Sequence, residues 1–220
     1  MSETKLRIRA TTLAICTSLS AACMPTSPLH ETLATASVSK QRVSFADETE
    51  VTVHSEIKLE SNALAGFNGF QRTGGVYGAM YVTEDGRAFS WQSRRFSVED
   101  AKAAAQVDCE AFYQRGCVLY ATLGPTKLSE GNVFIPDQNR STWENAVRET
   151  QTGNYIAIAT SKTGASGFAW DFSSASEART AALETCKGNT TAKSKETVAR
   201  VVTANEKAGI YKCRTFGTFR

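Results

Sequence analysis

The chain has 220 residues, 41% hydrophobic and 21% charged, with 25 Lys and Arg against 22 Asp and Glu. That suits one large domain or two small ones and excludes a disordered or fibrous chain. The nearly balanced charge leaves no polybasic footprint, so nucleic acid is not an expected partner.

The chain opens with KLRIRATTLAICTSLSAAC, in which a basic start and a moderately apolar stretch from Ala10 to Ala22 lead to small residues before Cys23. This is the pattern of a secretory signal over residues 1–22, too short and too rich in Thr and Ser for a permanent membrane span. The junction Ser20-Ala21-Ala22-Cys23 is similar to a bacterial lipobox, although Leu19 stands one place further from the cysteine than is usual. In a lipobox, cleavage leaves a cysteine that becomes diacylated and then N-acylated. The alternative is an ordinary signal cut after Ala22. Parity favours the lipid: without Cys16, the mature chain keeps Cys23, Cys109, Cys117, Cys186 and Cys213, and lipidation of Cys23 leaves four cysteines free to pair. Met24 follows in place of Asp, so the expected address is the periplasmic face of the outer membrane. A secreted or soluble periplasmic protein is the alternative.

Residues 23–50 then read as the lipidated N-terminus and a tether, because MPTSPLHETLATASVSK is rich in Thr, Ser and Pro. Within residues 51–75, VTVHSEIKL (Val51–Leu59) alternates like an added strand, and GFNGFQRTGG reads as loop. Residues 76–124 form a first repeat. YGAMYVTEDGRAFSW is a strand, a turn and a second strand, SVEDAKAAAQVDC a helix opened by Ser97 with Asp100, and CVLYATL a third strand. In the linker, residues 125–153, Ser141 with Glu144 marks another helix start. Residues 154–220 repeat the pattern as YIAIATSKTGASGFAW, SASEARTAALETC with Ser174 and Glu177, and CRTFGTF. Inside this second copy, KETVARVVTANEKAGIYKC is an insertion expected as a hairpin, with Val198–Val202 competing with Ile210–Phe216 for the third strand.

Each helix carries a narrow stripe of Ala and one Cys, so it lies close to its sheet, and aromatic residues such as Phe89 with Trp91 or Phe168 with Trp170 are expected to fill the layer beneath it. The fold expected is α+β: two tandem strand-strand-helix-strand repeats, small antiparallel sheets each with one packed helix, disulfide-stapled, and packed as a pseudo-symmetric pair. Four cysteines pair in three ways. Since Cys109 matches Cys186 and Cys117 matches Cys213, pairing within each repeat uses one geometry twice: Cys109 with Cys117, and Cys186 with Cys213.

The order YIAIA, turn, GFAW, SSASEARTAALETC resembles the bacterial envelope family catalogued as domain of unknown function four-one-eight-nine, and YGAM, AFSW, SVEDAKAAAQVDC resembles a second copy. The resemblance implies a secreted or lipid-anchored protein with disulfides and brings no catalytic residues. It also implies a further cysteine beyond Cys213, which this sequence lacks.

Neither histidine, His30 in the tether or His54 in the added strand, belongs to the repeats, and a solvated His54 is the expectation over a catalytic one. Ser37 with Lys40, and Ser55 with Lys58, have Ser-x-x-Lys spacing without its companion motifs. Glu84, Asp85 and Asp108 read as turn and helix-end residues, and Ser93–Arg95 as a solvated turn. No zinc spacing appears, and no cofactor or metal is expected. Trp91 and Trp170 are expected in the core, with Trp143 a candidate contact. The function expected is a non-enzymatic, lipid-anchored periplasmic module that binds another envelope protein, as an inhibitor or immunity-type protein. The alternatives are a structural or peptidoglycan-associated lipoprotein and, last, a hydrolase using His54.

Overall fold

The computed structural model describes residues 42–45, 48–127, 132–194 and 198–220. The signal segment, Cys23, His30, Ser37 and Lys40 lie outside these residues. Among the described residues no helix is long and apolar enough to cross a membrane. The architecture is α+β, with two small antiparallel sheets and two disulfides.

After β1 (Arg42–Ser44), the first module runs β2 (Thr49–Val53), α1 (Ser61–Arg72), β3 (Tyr77–Thr83), β4 (Phe89–Arg95), α2 (Val98–Tyr113) and β5 (Cys117–Pro125). After β6 (Asn132–Phe134), which pairs in parallel with β1, the second runs α3 (Arg140–Glu149), β7 (Tyr155–Thr160), β8 (Ser166–Phe172), α4 (Ala175–Ser194), α5 (Ala199–Lys207) and β9 (Arg214–Phe219). The sheets are ordered β2-β5-β3-β4 and β8-β7-β9, so β3 and β7 are each central to an antiparallel trio. Bulges interrupt both middle strands at aligned places, Tyr77/Ala79 and Tyr155/Ala157.

Period-two alternation gives each sheet two unlike faces. Under α2 lie Ala79 and Tyr81, meeting Ala101, Ala105 and Cys109; under α4 lie Ala157, Ala159 and Ala169, meeting Ala178, Ala182 and Cys186. The aromatic residues do not fill these layers, as the thin helices had suggested. Phe89 and Trp91 face the other way, into a layer with Phe67 and Phe70 of α1, and Phe168 and Trp170 face Trp143 and Ala146 of α3. The small helix faces need no filler because the backbones approach closely. Each sheet is thus held between an alanine-lined helix and an aromatic layer.

Three expectations for local structure are corrected. GFNGFQRTGG is mostly helix, not loop: Ala63, Phe67 and Phe70 fall at helical spacing on one face, and a Cβ at Gly66 would stand 2.3 Å from the Phe89 ring, so glycine there permits close docking. Strand structure in the preceding segment stops at Val53 instead of running to Leu59. The insertion is the helix α5 rather than a hairpin, so Val198–Val202 does not compete for the third strand, which is β9 alone. Val201 and Asn205, four apart, are its buried face.

The caps differ in detail. Ser97 Oγ accepts from the Asp100 N–H at 3.1 Å, and Ser174 Oγ from the Glu177 N–H at 3.5 Å. α3 instead begins at Arg140, with Asn139 ahead of it and no side-chain cap, which puts Ser141 inside the helix. The Asp100 carboxylate turns away from its own helix start and accepts from Arg214 of the second module at 2.7 and 2.8 Å.

Candidate functional site

Both cysteine pairs form as the repeat alignment predicts. Cys109 is bonded to Cys117 and Cys186 to Cys213, with separations of 8 and 27 residues. The first bridge pins the C-terminal part of α2 to β5, whereas α4 runs on past Cys186 to Ser194, so the second ties the middle of a helix, not its end, to the residue before β9. The difference in length is the insertion, and α5 packs against α2 of the first module. Phe96, just past β4, meets Phe216 of β9 with ring centroids 4.8 Å apart.

An open cavity of about 450 Å³ lies where the outer side of β4, the second half of α2 and the start of α5 converge. Phe89, Ser90 and Trp91 form one wall, Asp108, Phe112 and Tyr113 a second, and Val198 and Val201 a third. Phe112 and Val198 are 44% and 50% exposed, which is high for apolar side chains sharing one cleft. Arg200 stands over the Phe112 ring, 5.1 Å from its centroid.

Behind the cleft is a polar chain that joins the modules. Asp108 Oδ1 accepts from Asn205 Nδ2 at 2.9 Å, and its Oδ2 accepts from Gln92 Nε2. Gln92 Oε1 accepts in turn from Arg95, whose other terminal nitrogen donates to Ser93 O at 2.7 Å. Burial pushes the Asp108 carboxyl above the ordinary carboxylate range, against the opposing pull of the Asn205 and Gln92 amides and the Arg95 charge. Burial holds Arg95 down to about 10, still a cation at neutral pH, with Asp108 and Asp100 acting the other way.

Ser93–Arg95 is therefore not a solvated turn: it ends strand β4, and Arg95 reaches inward to Gln92 and toward Gly164 of the second module. Asp108 is not a mere helix-end residue, because it lies one turn before the end of α2 and faces β4 and α5. Asp85 does belong to a turn, where bonds from Thr83 Oγ1, the Arg87 N–H and Arg115 lower its pKa to about 2; Glu84 lies beside it. His54 is exposed, with Nε2 2.8 Å from Thr122 Oγ1. Ser55 Oγ accepts from the Ile57 N–H, and Lys58 is exposed.

Trp91 packs at 5.7 Å on Phe70 and also lines the cleft, Trp143 packs at 5.0 Å on Phe219, and Trp170 Nε1 donates to Glu149. The structure thus brings Trp91 and Asp108 together and leaves His54, Trp143 and Trp170 elsewhere. Among the described residues no group of three His, Cys, Asp or Glu side chains is arranged to hold a metal ion. The sequence reading missed Phe112, Tyr113, Val198, Val201 and Asn205. The one local signal was the helical spacing of Val198, Val201 and Asn205.

Comparison with protein-family models, with curated proteins and with solved structures finds no match to this chain.

Proposed function

We propose that this chain is a non-catalytic protein-binding module of the bacterial cell envelope, held at the periplasmic face of the outer membrane by lipid on Cys23 and acting on another envelope protein as an inhibitor or immunity-type partner. The observation that carries the reading is the cleft between β4, α2 and α5, where exposed Phe112 and Val198 flank a recess large enough for a ligand group. Two disulfides in a chain of modest core support an oxidising compartment, as does the resemblance to the envelope family. The Ser20-Ala21-Ala22-Cys23 junction and the pairing of the other four mature cysteines support the anchor.

A photo-cross-linking residue placed at Phe112 tests the binding reading in cells, with Glu184 on α4 as the control position. We expect one envelope protein to be captured from position 112 and not from 184. Purified, that protein binds the soluble chain and loses about 100-fold affinity to Phe112→Asp, at the scale of an interface hot spot. Equal capture from both positions, or none, overturns the reading. For the anchor, a palmitate analogue labels the wild type and not Cys23→Ala; an unlabelled wild type removes the lipid from the proposal.

A further inference from the structure

The wall of the cleft made by Phe89, Ser90 and Trp91 belongs to an edge strand, since β4 is last in its sheet. Antiparallel pairs alternate, so backbone groups of successive residues point toward the partner strand and away from it. The Thr83 N–H donates to Ala88 O at 3.0 Å, and the pairing continues through Tyr81 with Ser90 and Ala79 with Gln92. Ser90 and Gln92 thus face β3, and Phe89 and Trp91 turn their N–H and C=O groups outward. Phe89 O is covered by Tyr113, whose hydroxyl donates to it at 3.1 Å. Trp91 has no such cover among the described residues. At the opposite end of the same sheet, the outer edge of β5 is filled by an antiparallel strand, β2, from Thr49↔Pro125 to Val53↔Ala121.

We infer that the cleft takes an extended segment of a partner protein, which adds as a strand to the open edge of β4 and carries a lysine or arginine that meets Asp108. This rests on the reading of the cleft as the binding site. Main-chain bonds to Trp91 supply the register, as in other cases where a peptide extends a sheet. Phe112 and Val198 take an apolar side chain of the segment. Among the described residues Asp108 is the only charged one lining the cavity, and its two amide donors fix the carboxylate in place.

The probe is acetyl-Thr-Val-Lys-Val-Thr-amide, titrated into the soluble chain, residues 24–220, and followed by amide chemical shifts and hydrogen exchange. Binding is expected to shift Phe89 to Trp91 and Asp108, to slow exchange of the Trp91 amide about tenfold, and to weaken about tenfold when norleucine replaces the lysine. Equal affinity for the norleucine peptide overturns the basic residue. Shifts confined to Phe112 and Val198, with Trp91 exchange unchanged, overturn strand addition while the cleft still binds. No shift with either peptide overturns the inference as a whole, and the cross-link from position 112 then decides separately whether the cleft is an interface.

Discussion

The two modules share an order of elements and a bulge position, yet they close their rings with very different lengths of chain. In the first, nine residues from Cys109 to Cys117 carry the helix straight into its strand. In the second, the stretch from Cys186 to Cys213 holds the end of α4, all of α5 and the approach to β9. The extra chain does not thicken its own module. It reaches across to α2, supplies Asn205 to Asp108, and builds one wall of the cleft with Val198 and Val201. The shared part of the modules therefore makes the fold and two walls of the cleft, and the part they do not share adds the third wall.

The strongest way to break the comparison is to open the rings one at a time. On the chain-entropy model, Cys186→Ala with Cys213→Ala loses about 3.6 kcal/mol and Cys109→Ala with Cys117→Ala about 2.6 kcal/mol. Denaturant unfolding should place the second-module variant lower. The reverse order would show that strain or residual structure, not loop length, sets the contribution.

A smaller effect separates the helix-sheet distances. At Gly167 a Cβ would stand 2.2 Å from Ala182 O and 2.4 Å from Cys186 N, so α4 sits directly on β8, whereas the same ladder place in the first module, opposite Tyr81 as Gly167 is opposite Ala159, holds Ser90. Gly167→Ala should cost about 2–3 kcal/mol by overpacking, and Ser90→Gly about 1 kcal/mol through chain entropy. Melting temperatures would rank them, and equal shifts would mean that the two helices ride at one height.

Next is the ion pair between modules. Arg214 is half exposed and Asp100 is buried, so Arg214→Ala leaves a carboxylate without its partner, at a cost of about 1–2 kcal/mol once exposure of the arginine is discounted. Asp100→Asn should cost less, because the freed guanidinium hydrates. A larger loss from the Asp100 change would argue against this account.

The finest test contrasts two aspartates by pH. Asp108, which faces α5, has a raised pKa, so its stability contribution is fully present below the unfolded value and is lost as pH rises through the folded one. Asp85, internal to the first module, is lowered to about 2, so its contribution is present above the unfolded value and is lost as pH falls toward 2. Measured against Asp108→Asn, the wild type should gain stability on acidification from about pH 7 to 4. Measured against Asp85→Asn, it should lose stability below about pH 4. Urea midpoints across that range would check both signs.

How far the sequence disclosed this molecule follows from the range over which its signals act. Period-two strands, Ser97 and Ser174 at helix starts, and cysteines at matching positions are local patterns, and they led to β3, β4, α2, β7, β8, α4 and both disulfides. α1 was hidden because two glycines in GFNGF look like a loop until the ring of Phe89 is placed against Gly66. α5 was hidden because VARVV has strand-forming composition, which burial of Val201 and Asn205 against α2 overrides. The cleft was less legible still: Asp108 and Asn205 are 97 positions apart, and nothing near either residue announces the other. The aromatic side chains were found as a pattern but assigned to the wrong face, since alternation says which residues share a side and not which side meets the helix.

The ring closed by Cys186 and Cys213 also bears on how such a chain can diversify. Closure entropy grows with the logarithm of length, so doubling a loop costs only about 0.6 kcal/mol. A descendant that lengthens, shortens or rewrites the stretch between those cysteines keeps its bridge and its sheet, and changes the wall that carries Val198 and Val201. That wall can therefore change one loop at a time, with folding left intact.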